Sequence, residues 1–410
     1  MTSEPQQAFV WTWLPGTPDP VVAGRLDTVG QIVTFTYGRS YLAREDRIAL
    51  YIPELPLGRG AISPLVGDVA GCIADAAPDA WGQRVILNRR VGQADLDTTD
   101  LSLMTYLLES GSDRIGALDF QASASEYVAR STDRATLKEL AQSAERVERG
   151  VALSPALDQA LLHGSSVGGA RPKALLSDGD RRLIAKFSST TDTYPVVKGE
   201  FVAMELARRA GIDAAAVKLT SVLGKDALLI ERFDRPASGG RRAMVSALTM
   251  LGLDEVAARY ASYTELADLI RARFTDPIST LRELFARIVF NILTGNNDDH
   301  ARNHAAFWDG SALTLTPAYD ICPQPRAGGE TAQLMAIGKD GYRMSQVAGC
   351  VARASTYLLS ESDAREIVDQ QIDTIEAQWA DVCDQAALAE VDRAGFWRRQ
   401  FLNRYATEGY

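Results

Sequence analysis

The sequence predicts an α+β protein with a strand-rich N-terminal part and a mainly helical C-terminal part. Apolar and polar residues alternate in VTFTY, residues 33–37, which predicts a β-hairpin over 21–37 with its turn near Gly30. Between Leu281 and Ile292 the apolar residues instead recur at i, i+3, i+4, i+7, i+8 and i+11. That period is typical of a helix with one buried face.

The length of the chain indicates more than one domain. A chain of 410 residues is long enough for roughly two to three domains. A polar, charged stretch over 130–150 suggests a boundary. We therefore expect an N-terminal α+β subdomain at 1–150, a second part at 151–235 and a helical part at 236–410.

Charge and hydropathy exclude some classes of protein. The formal net charge of −10 argues against a protein that binds nucleic acid over a large part of its own surface. No run approaches the roughly 18 apolar residues of a membrane span, so we expect no membrane association. The N-terminus lacks the basic region and apolar core of a signal peptide. The cysteines are far apart and show no C-x-x-C spacing, which favours reduced thiols and a cytoplasmic location: Cys72, Cys322, Cys350 and Cys383.

Candidate catalytic residues lie between Thr294 and Pro323. Asp298 and Asn303 stand five positions apart, and Asp320 follows a predicted strand, ALTLT. Phosphoryl transfer uses one carboxylate to orient the attacking hydroxyl and further oxygen atoms to hold Mg²⁺ beside the phosphates. The order D-x-x-x-x-N…D is the one found in protein kinases. We predict Asp298 as the catalytic base, with Asn303 and Asp320 as Mg²⁺ ligands.

Two other interpretations of this stretch remain open. A run such as GNNDD is often a solvated turn, because Asn and Asp side chains bond their own backbone. His300 and His304 stand four apart, as the histidines of a zinc H-E-x-x-H motif do. Ala301 occupies the position of that motif's glutamate, so the general base would be missing.

A lysine upstream extends the kinase interpretation. Lys186 lies in the apolar strand LIAKF, and Glu200 follows fourteen residues later at the start of a predicted helix. A strand lysine followed by a helix glutamate holds the ATP phosphates in kinases. The alternatives are a structural ion pair or a lysine whose ammonium reaches solvent.

Two further stretches have the composition of nucleotide-binding segments. GSSVGGARPK, residues 164–173, is a loop whose backbone amides can approach phosphates, although a plain glycine turn fits as well. ALLIERFDR, residues 227–235, is a strand whose end, Glu231 to Phe233, has the position of an adenine-binding hinge. A strand that simply ends at the surface fits these residues equally.

Taken together, these stretches resemble the HipA family of bacterial serine/threonine kinases, toxins of toxin–antitoxin pairs. The resemblance rests on SSVGGARPKA, LIAKF, the Glu200 helix, ERFDR, NNDDHARN and TPAYD in family order. It implies a protein-kinase-like two-lobed fold, with the small lobe at 151–235 and the helical large lobe at 236–410. The subdomain at 1–150 would be specific to the family.

The resemblance also implies roles for single residues. Asp298 would be the base, Asn303 and Asp320 would bind Mg²⁺, and Ser166 would be the autophosphorylated serine. The residues expected to bind ATP are Lys186, Glu231, Phe233, Val167, Gly168, Gly169 and Ala170. The partners implied are a HipB-like helix-turn-helix antitoxin, DNA only through that antitoxin, and a protein substrate such as an aminoacyl-tRNA synthetase.

Two departures from the family pattern are visible. Arg171-Pro172 stands where well-known members carry Gln-Glu, and Arg302 replaces a lysine in the catalytic loop. The first puts in doubt how the loop at 164–173 responds to phosphorylation. Two other functions stay open. A small-molecule phosphotransferase could use the same Asp, Asn and Asp residues. A kinase-like binding module that serves a DNA-bound partner is the other, although the intact set of Lys186, Asp298, Asn303 and Asp320 argues against it.

Overall fold

The structure is a computed structural model that describes residues 4–91, 101–130, 135–151, 153, 171–325 and 329–410. The chain divides into two compact units. The first comprises Met1–Thr191, Thr220–Val245 and Phe307–Ser311. The second comprises Asp192–Leu219, Ser246–Ala306 and Ala312–Tyr410. Helices and strands are numbered here over the described residues.

The first unit begins with a five-stranded sheet of order β4-β3-β2-β1-β5. Its strands are β1 (Gln7–Trp13), β2 (Pro20–Val29), β3 (Ile32–Tyr37), β4 (Ala61–Ile62) and β5 (Leu118–Gln121). The predicted hairpin is confirmed, because β2 and β3 pair antiparallel from Gly24 opposite Tyr37 to Val29 opposite Ile32. Strand β1 was not predicted. Its sequence QAFVWTW has four consecutive apolar residues, Ala8 to Trp11, so the alternation that marks a half-buried strand is weak there.

A second sheet has the order β6-β7-β9-β8 and belongs to this unit except for residues 217–219. The strands are β6 (Lys173–Asp178), β7 (Arg181–Phe187), β8 (Val217–Val222) and β9 (Lys225–Glu231). The helices before it are α1 (Arg39–Leu42), α2 (Gly71–Ala74), α3 (Ala80–Val91), α4 (Leu103–Glu109) and α5 (Leu137–Glu148).

Helices α3 and α5 pack against the second sheet. Trp81 and Val85 of α3 and Leu140 and Val147 of α5 share one core with Phe187 of β7. The polar stretch over 130–150 was predicted to mark a domain boundary. It contains a helix, but α5 has one apolar face that is buried against the sheet. The charged residues that suggested a boundary occupy the opposite face.

The second unit is mainly helical. Its helices are α6 (Val196–Arg209), α7 (Ala247–Met250), α8 (Tyr263–Arg273), α9 (Pro277–Leu293), α10 (Val347–Val351), α11 (Glu361–Gln385) and α12 (Glu390–Phe396). Of the remaining strands, β12 (Leu313–Leu315) belongs to this unit, whereas β10 (Ala243–Ser246) and β11 (Ala305–Trp308) each have residues in both units. The chain is thus an α+β protein, as predicted.

Helix α9 places the candidate catalytic residues. Asp276 caps its N-terminus by accepting a hydrogen bond from the Ser279 amide (3.2 Å), and Pro277 lies in its first turn. The face predicted from the apolar period is fully buried, from Leu281 to Ile292. Within the described part of the chain, no helix is long and apolar enough to cross a membrane.

Candidate active site

A tight turn links α9 to the predicted catalytic segment. Gly295 has a φ of +69°, in the left-handed region that favours glycine. A Cβ at this position would lie 2.8 Å from the Gln400 carbonyl oxygen, so a side chain does not fit. The Gln324 amide donates to the Gly295 carbonyl (3.0 Å). The Gly295 amide donates to the Ile292 carbonyl (3.3 Å), so both backbone polar groups of Gly295 are hydrogen-bonded.

The side chains of Asn296 to Asp299 face different environments. Asn296 and Asp299 are each only 2% exposed, whereas Asp298 between them is exposed. The Asn296 amide group donates to the Asn291 side chain (3.1 Å), and the Asn297 amide group donates to Thr331 (2.8 Å). A solvated turn would leave these groups in water, so that alternative fits poorly. Of the two adjacent aspartates, Asp298 is the one that presents its carboxylate to solvent.

The pKa of the Asp298 carboxyl is raised above its ordinary value. Partial desolvation of the carboxyl is the largest cause; His300 lowers the pKa, and Asp320 and Asp299 raise it again. The influence of Asp320 means that the two carboxylates lie within electrostatic range of each other. Two negative groups in that position repel each other, and a bound cation relieves such repulsion.

Asn303 and Asp320 lie on short, well-anchored segments of the second unit. Asn303 is buried at the end of a 3-10 turn, Ala301–Asn303, and its backbone N–H donates to the His300 carbonyl (2.8 Å). Asp320 has a φ of +59°, which is strained for a residue other than glycine. Two backbone hydrogen bonds at Ala318 hold the chain just before it, to Asp213 (2.7 Å) and Ala215 (2.9 Å). Strain of this kind is concentrated at functional sites.

The zinc alternative is not supported. His300 and His304 flank a 3-10 turn and do not lie on one face of an α-helix. His304 Nε2 lies 2.8 Å from Asp299 Oδ2, in a buried contact. Among the described residues, no three or more His, Cys, Asp or Glu side chains are grouped as metal ligands would be. Zinc sites are built from such groups.

The residues present do fit Mg²⁺. Magnesium prefers oxygen atoms, and it binds through one or two carboxylates plus substrate phosphates and water. Asp320 offers a carboxylate, Asn303 an amide oxygen, and Asp298 a nearby carboxylate whose repulsion from Asp320 a cation would relieve. This donor set suits a metal that arrives with a nucleotide.

The predicted phosphate-binding lysine lies in the first unit. Lys186 on β7 is half-buried and stands directly opposite Lys173 on β6. Lys173 is only 1% exposed, and its Nζ lies 2.9 Å from Asp79 Oδ2. Lys173 was not predicted as part of the site. Its only signal in the sequence is a lysine at the start of the apolar strand KALL. Like Lys186, a lysine in such a strand needs a partner for its charge if it is buried.

Beside the predicted hinge, a buried charge network fixes the end of β9. Arg232 contacts Asp234 (2.8 Å) and Asp113 (3.0 Å), and Arg235 contacts the same two aspartates at 2.9 and 2.7 Å. Asp234 also accepts a hydrogen bond from the Gly116 amide (2.8 Å). Burial acts to raise the pKa of Asp234, but Arg232 and Arg235 outweigh it and lower the pKa. The charged residues of ERFDR are thus largely structural.

Glu231 and Phe233 alternate with that network. Glu231 is exposed at the end of β9, and Phe233 is half-buried, with its ring 5.9 Å from that of Phe307 in an edge-to-face contact. Glu200, the predicted partner of Lys186, is buried in α6 of the second unit. The hinge role and the Lys186–Glu200 pair both stay predictions. So do the roles of Ser166, Val167, Gly168, Gly169 and Ala170, which lie outside the described residues.

Comparison with known proteins identifies two matching family models. Residues 165–379 match the HipA-like C-terminal domain, and residues 19–121 match the HipA N-terminal domain. A serine/threonine-protein kinase toxin HipA of Shewanella oneidensis is 28% identical over 185 residues. This match covers 38% of the present chain and 42% of that relative, less than half the length of either.

A solved structure matches over nearly the whole chain. It is the S. oneidensis complex of HipA, HipB and operator DNA, with a TM-score of 0.68 and 21% sequence identity. The match covers 97% of the present chain and 95% of the other. At this identity the likeness establishes the fold, while the C-terminal family model alone spans more than half of the chain. The chain therefore belongs to the HipA family.

Proposed function

We propose that this protein is an ATP- and Mg²⁺-dependent serine/threonine protein kinase with a two-lobed, protein-kinase-like fold. The small lobe would be residues 151–235, the large lobe 236–410, and the family-specific subdomain 1–150. The observation that carries the proposal is Asp298. Its carboxylate is exposed, whereas that of the adjacent Asp299 is buried, and Asp320 lies within electrostatic range of Asp298.

The residues have distinct chemical tasks in this proposal. When bound, Mg²⁺–ATP supplies the transferable γ-phosphoryl group and a divalent charge that neutralises it. Asp298 would accept the proton of the substrate hydroxyl at a carboxylate oxygen. Asn303 and Asp320 would hold the metal through oxygen atoms. Lys186 would bind the phosphates through its ammonium group.

The remaining nucleotide contacts are proposed from position alone. Glu231 and Phe233 would lie along the adenine, at the end of β9. The backbone amides of residues 167–170 would approach the phosphates, because a glycine-rich loop exposes its N–H groups. Ser166 in the same loop would be autophosphorylated.

The partners follow from the relatives. Because the solved relative is a complex of HipA with HipB and operator DNA, we propose a HipB-like helix-turn-helix antitoxin as partner of this toxin. DNA would be reached only through that antitoxin, in keeping with a net charge of −10 on this chain. The substrate would be a protein hydroxyl, with an aminoacyl-tRNA synthetase as one candidate. The protein would act in the cytoplasm, away from membranes.

Transfer of label from γ-³²P-ATP tests the proposal. The purified full-length chain is incubated with labelled ATP and Mg²⁺, alone and with a bacterial extract. Acid precipitation then separates labelled protein from labelled small molecules. Label in the precipitated protein is the expected result. Label transferred from ATP only to another small molecule would indicate a small-molecule phosphotransferase, and label that remains in ATP would indicate a binding module.

A further inference from the structure

Asp299 and His304 each follow one residue of the proposed site directly. Asp298 precedes Asp299, and Asn303 precedes His304. Across the turn between them, His304 Nε2 lies 2.8 Å from Asp299 Oδ2. One side-chain contact therefore connects the residue after Asp298 with the residue after Asn303.

The contact lies in the core of the second unit. Asp299 and His304 are buried, and Tyr263 at the start of α8 is completely buried beside them. The Tyr263 hydroxyl donates to the same Asp299 oxygen, and the Tyr263 ring meets the His304 ring edge to face at 5.7 Å. The three side chains thus contact one another pairwise.

The charge state of Asp299 fixes the direction of the hydrogen bonds. Burial acts to raise the pKa of Asp299, but His304 and the bonds from His304 and Tyr263 outweigh it, so the pKa is lowered. An ionised carboxylate only accepts hydrogen bonds, so His304 Nε2 donates. Among the described residues, His304 Nδ1 meets no partner, which agrees with the proton lying on Nε2.

The backbone within the turn and at His304 is anchored separately. The His304 carbonyl accepts a hydrogen bond from the Ala247 amide (2.7 Å), and the Asn303 amide donates to the His300 carbonyl (2.8 Å). With the Asp299 side chain held by Tyr263, movement between 298 and 303 requires breaking buried polar contacts. Such contacts are costly to leave unmade.

We propose that Asp299, His304 and Tyr263 are positioning residues, which fix the separation and orientation of Asp298 and Asn303. This inference rests on the proposed kinase function. Its physical basis is that a carboxylate and an amide oxygen must hold a defined geometry about the reacting atoms. A misplacement of 1 Å can reduce a rate by roughly 100-fold.

Two substitutions at one position separate positioning from packing. His304→Gln keeps an N–H donor at about the distance of Nε2, whereas His304→Leu removes it and leaves Asp299 with one donor fewer. Thr294→Val is the matched control. It removes another buried hydrogen bond, from Thr294 to the Phe290 carbonyl (2.8 Å), at the start of the same loop.

The variants are compared by kcat, by metal-free ATP affinity, by melting temperature and by hydrogen exchange of the peptide covering 295–305. We expect His304→Leu to lower kcat by about tenfold or more, with unchanged metal-free ATP affinity and faster exchange. His304→Gln should restore kcat and the rate of hydrogen exchange to those of the unmodified protein. Thr294→Val should lower the melting temperature while kcat stays within about twofold of the original protein, since it leaves the contact across the turn intact.

Wild-type kcat and exchange in His304→Leu would overturn the inference. So would an equal loss of kcat in Thr294→Val, because general destabilisation would then explain both variants. If the unmodified protein transfers no phosphate, the proposed function fails, and hydrogen exchange alone decides. Equal exchange in His304→Leu and the unmodified protein would then overturn the inference.

Discussion

Lys173 and Lys186 lie directly opposite each other on β6 and β7, and their surroundings differ sharply. Like charges directly opposite each other in a sheet are unfavourable. Lys173 is buried and its ammonium is paired with Asp79, which also accepts a hydrogen bond from the Gly82 amide (2.9 Å) at the start of α3. The ion pair with Asp79 offsets the positive charge of Lys173 and so reduces its repulsion of Lys186. The two lysines can therefore have different roles: Lys173 a structural role, and Lys186 the proposed binding of phosphate.

Substitution of these two lysines should therefore give different defects. Lys186→Met should weaken ATP binding by about tenfold, as expected for loss of one hydrogen bond from a charged group, with little change in melting temperature. Lys173→Met should instead lower the free energy of unfolding by about 3 kcal/mol, because it leaves the largely buried Asp79 carboxylate without this cation. Calorimetric ATP titration and urea unfolding measure the two effects. A destabilised Lys186→Met protein with normal ATP affinity would count against its role.

A change at Asp320 tests the metal assignment. Because Asp320 has a φ of +59°, asparagine is the best replacement: it tolerates this conformation and removes the charge. Asp320→Asn should weaken ATP binding with Mg²⁺ much more than ATP binding without it. Calorimetry in the two conditions makes the comparison. An equal loss in both would show that Asp320 does not act through the metal.

The network around Asp234 predicts sensitivity to acid. The pKa values of Asp113 and Asp234 are lowered: burial alone would raise them, and the neighbouring arginines outweigh it. In the unfolded chain the Asp pKa is about 3.9. As the pH falls, the unfolded chain therefore takes up protons before the folded protein does. The stability contribution of these groups is therefore present above about pH 5 and is lost as the pH falls further. Urea unfolding at several pH values measures it.

Asp234→Asn should show both parts of this linkage. At pH 7 it should lower the free energy of unfolding by about 3 kcal/mol, because buried arginines lose a partner. Its stability should also fall less steeply with acid, because one linked group no longer titrates. Asp46→Asn, which alters the exposed Arg44–Asp46 pair, is the control and should leave the unfolding midpoint unchanged. Parallel pH profiles for Asp234→Asn and the original protein would contradict the linkage.

The regular elements follow from patterns in the sequence. The period of Leu281 to Ile292 defines a buried helix face because an amphipathic helix has few other ways to bury that surface. The spacing of Asp298 and Asn303 likewise indicated the candidate site. Hydrophobic periodicity and short spacing are local properties, so they can be recognised without tertiary contacts.

Other features depend on contacts between distant residues. Asp298 and Asp299 are indistinguishable as neighbours in a polar run, whereas in the structure Asp299 is buried and contacts Tyr263 and His304. The pair of Lys173 with Asp79 joins residues far apart in sequence, through the packing of α3 on the second sheet. Sequence spacing contains no signal for such pairs.

Ser166 is the predicted autophosphorylation site. A phosphoserine adds roughly −1.5 to −2 charges, which nucleotide phosphates repel, so modification should lower ATP affinity and kinase activity. Arg171, which follows this loop, could pair with the phosphate. Lys173 could not, because it is buried and its ammonium is paired with Asp79. Mass spectrometry after incubation with Mg²⁺–ATP detects the modification and shows whether Ser165 or Ser166 carries it. An active enzyme with neither serine phosphorylated would rule out this inhibition by autophosphorylation.

Phosphoryl transfer by Asp298→Asn tests the central claim most directly. The amide keeps the shape of the side chain but cannot accept a proton, so label transfer from γ-³²P-ATP should fall by about 100-fold or more. Since Asp298 is exposed, the melting temperature should not change. Asp309→Asn, the same chemical change at another exposed position, should transfer label at the normal rate. Normal transfer by a folded Asp298→Asn protein would contradict the assignment of Asp298 as the catalytic base.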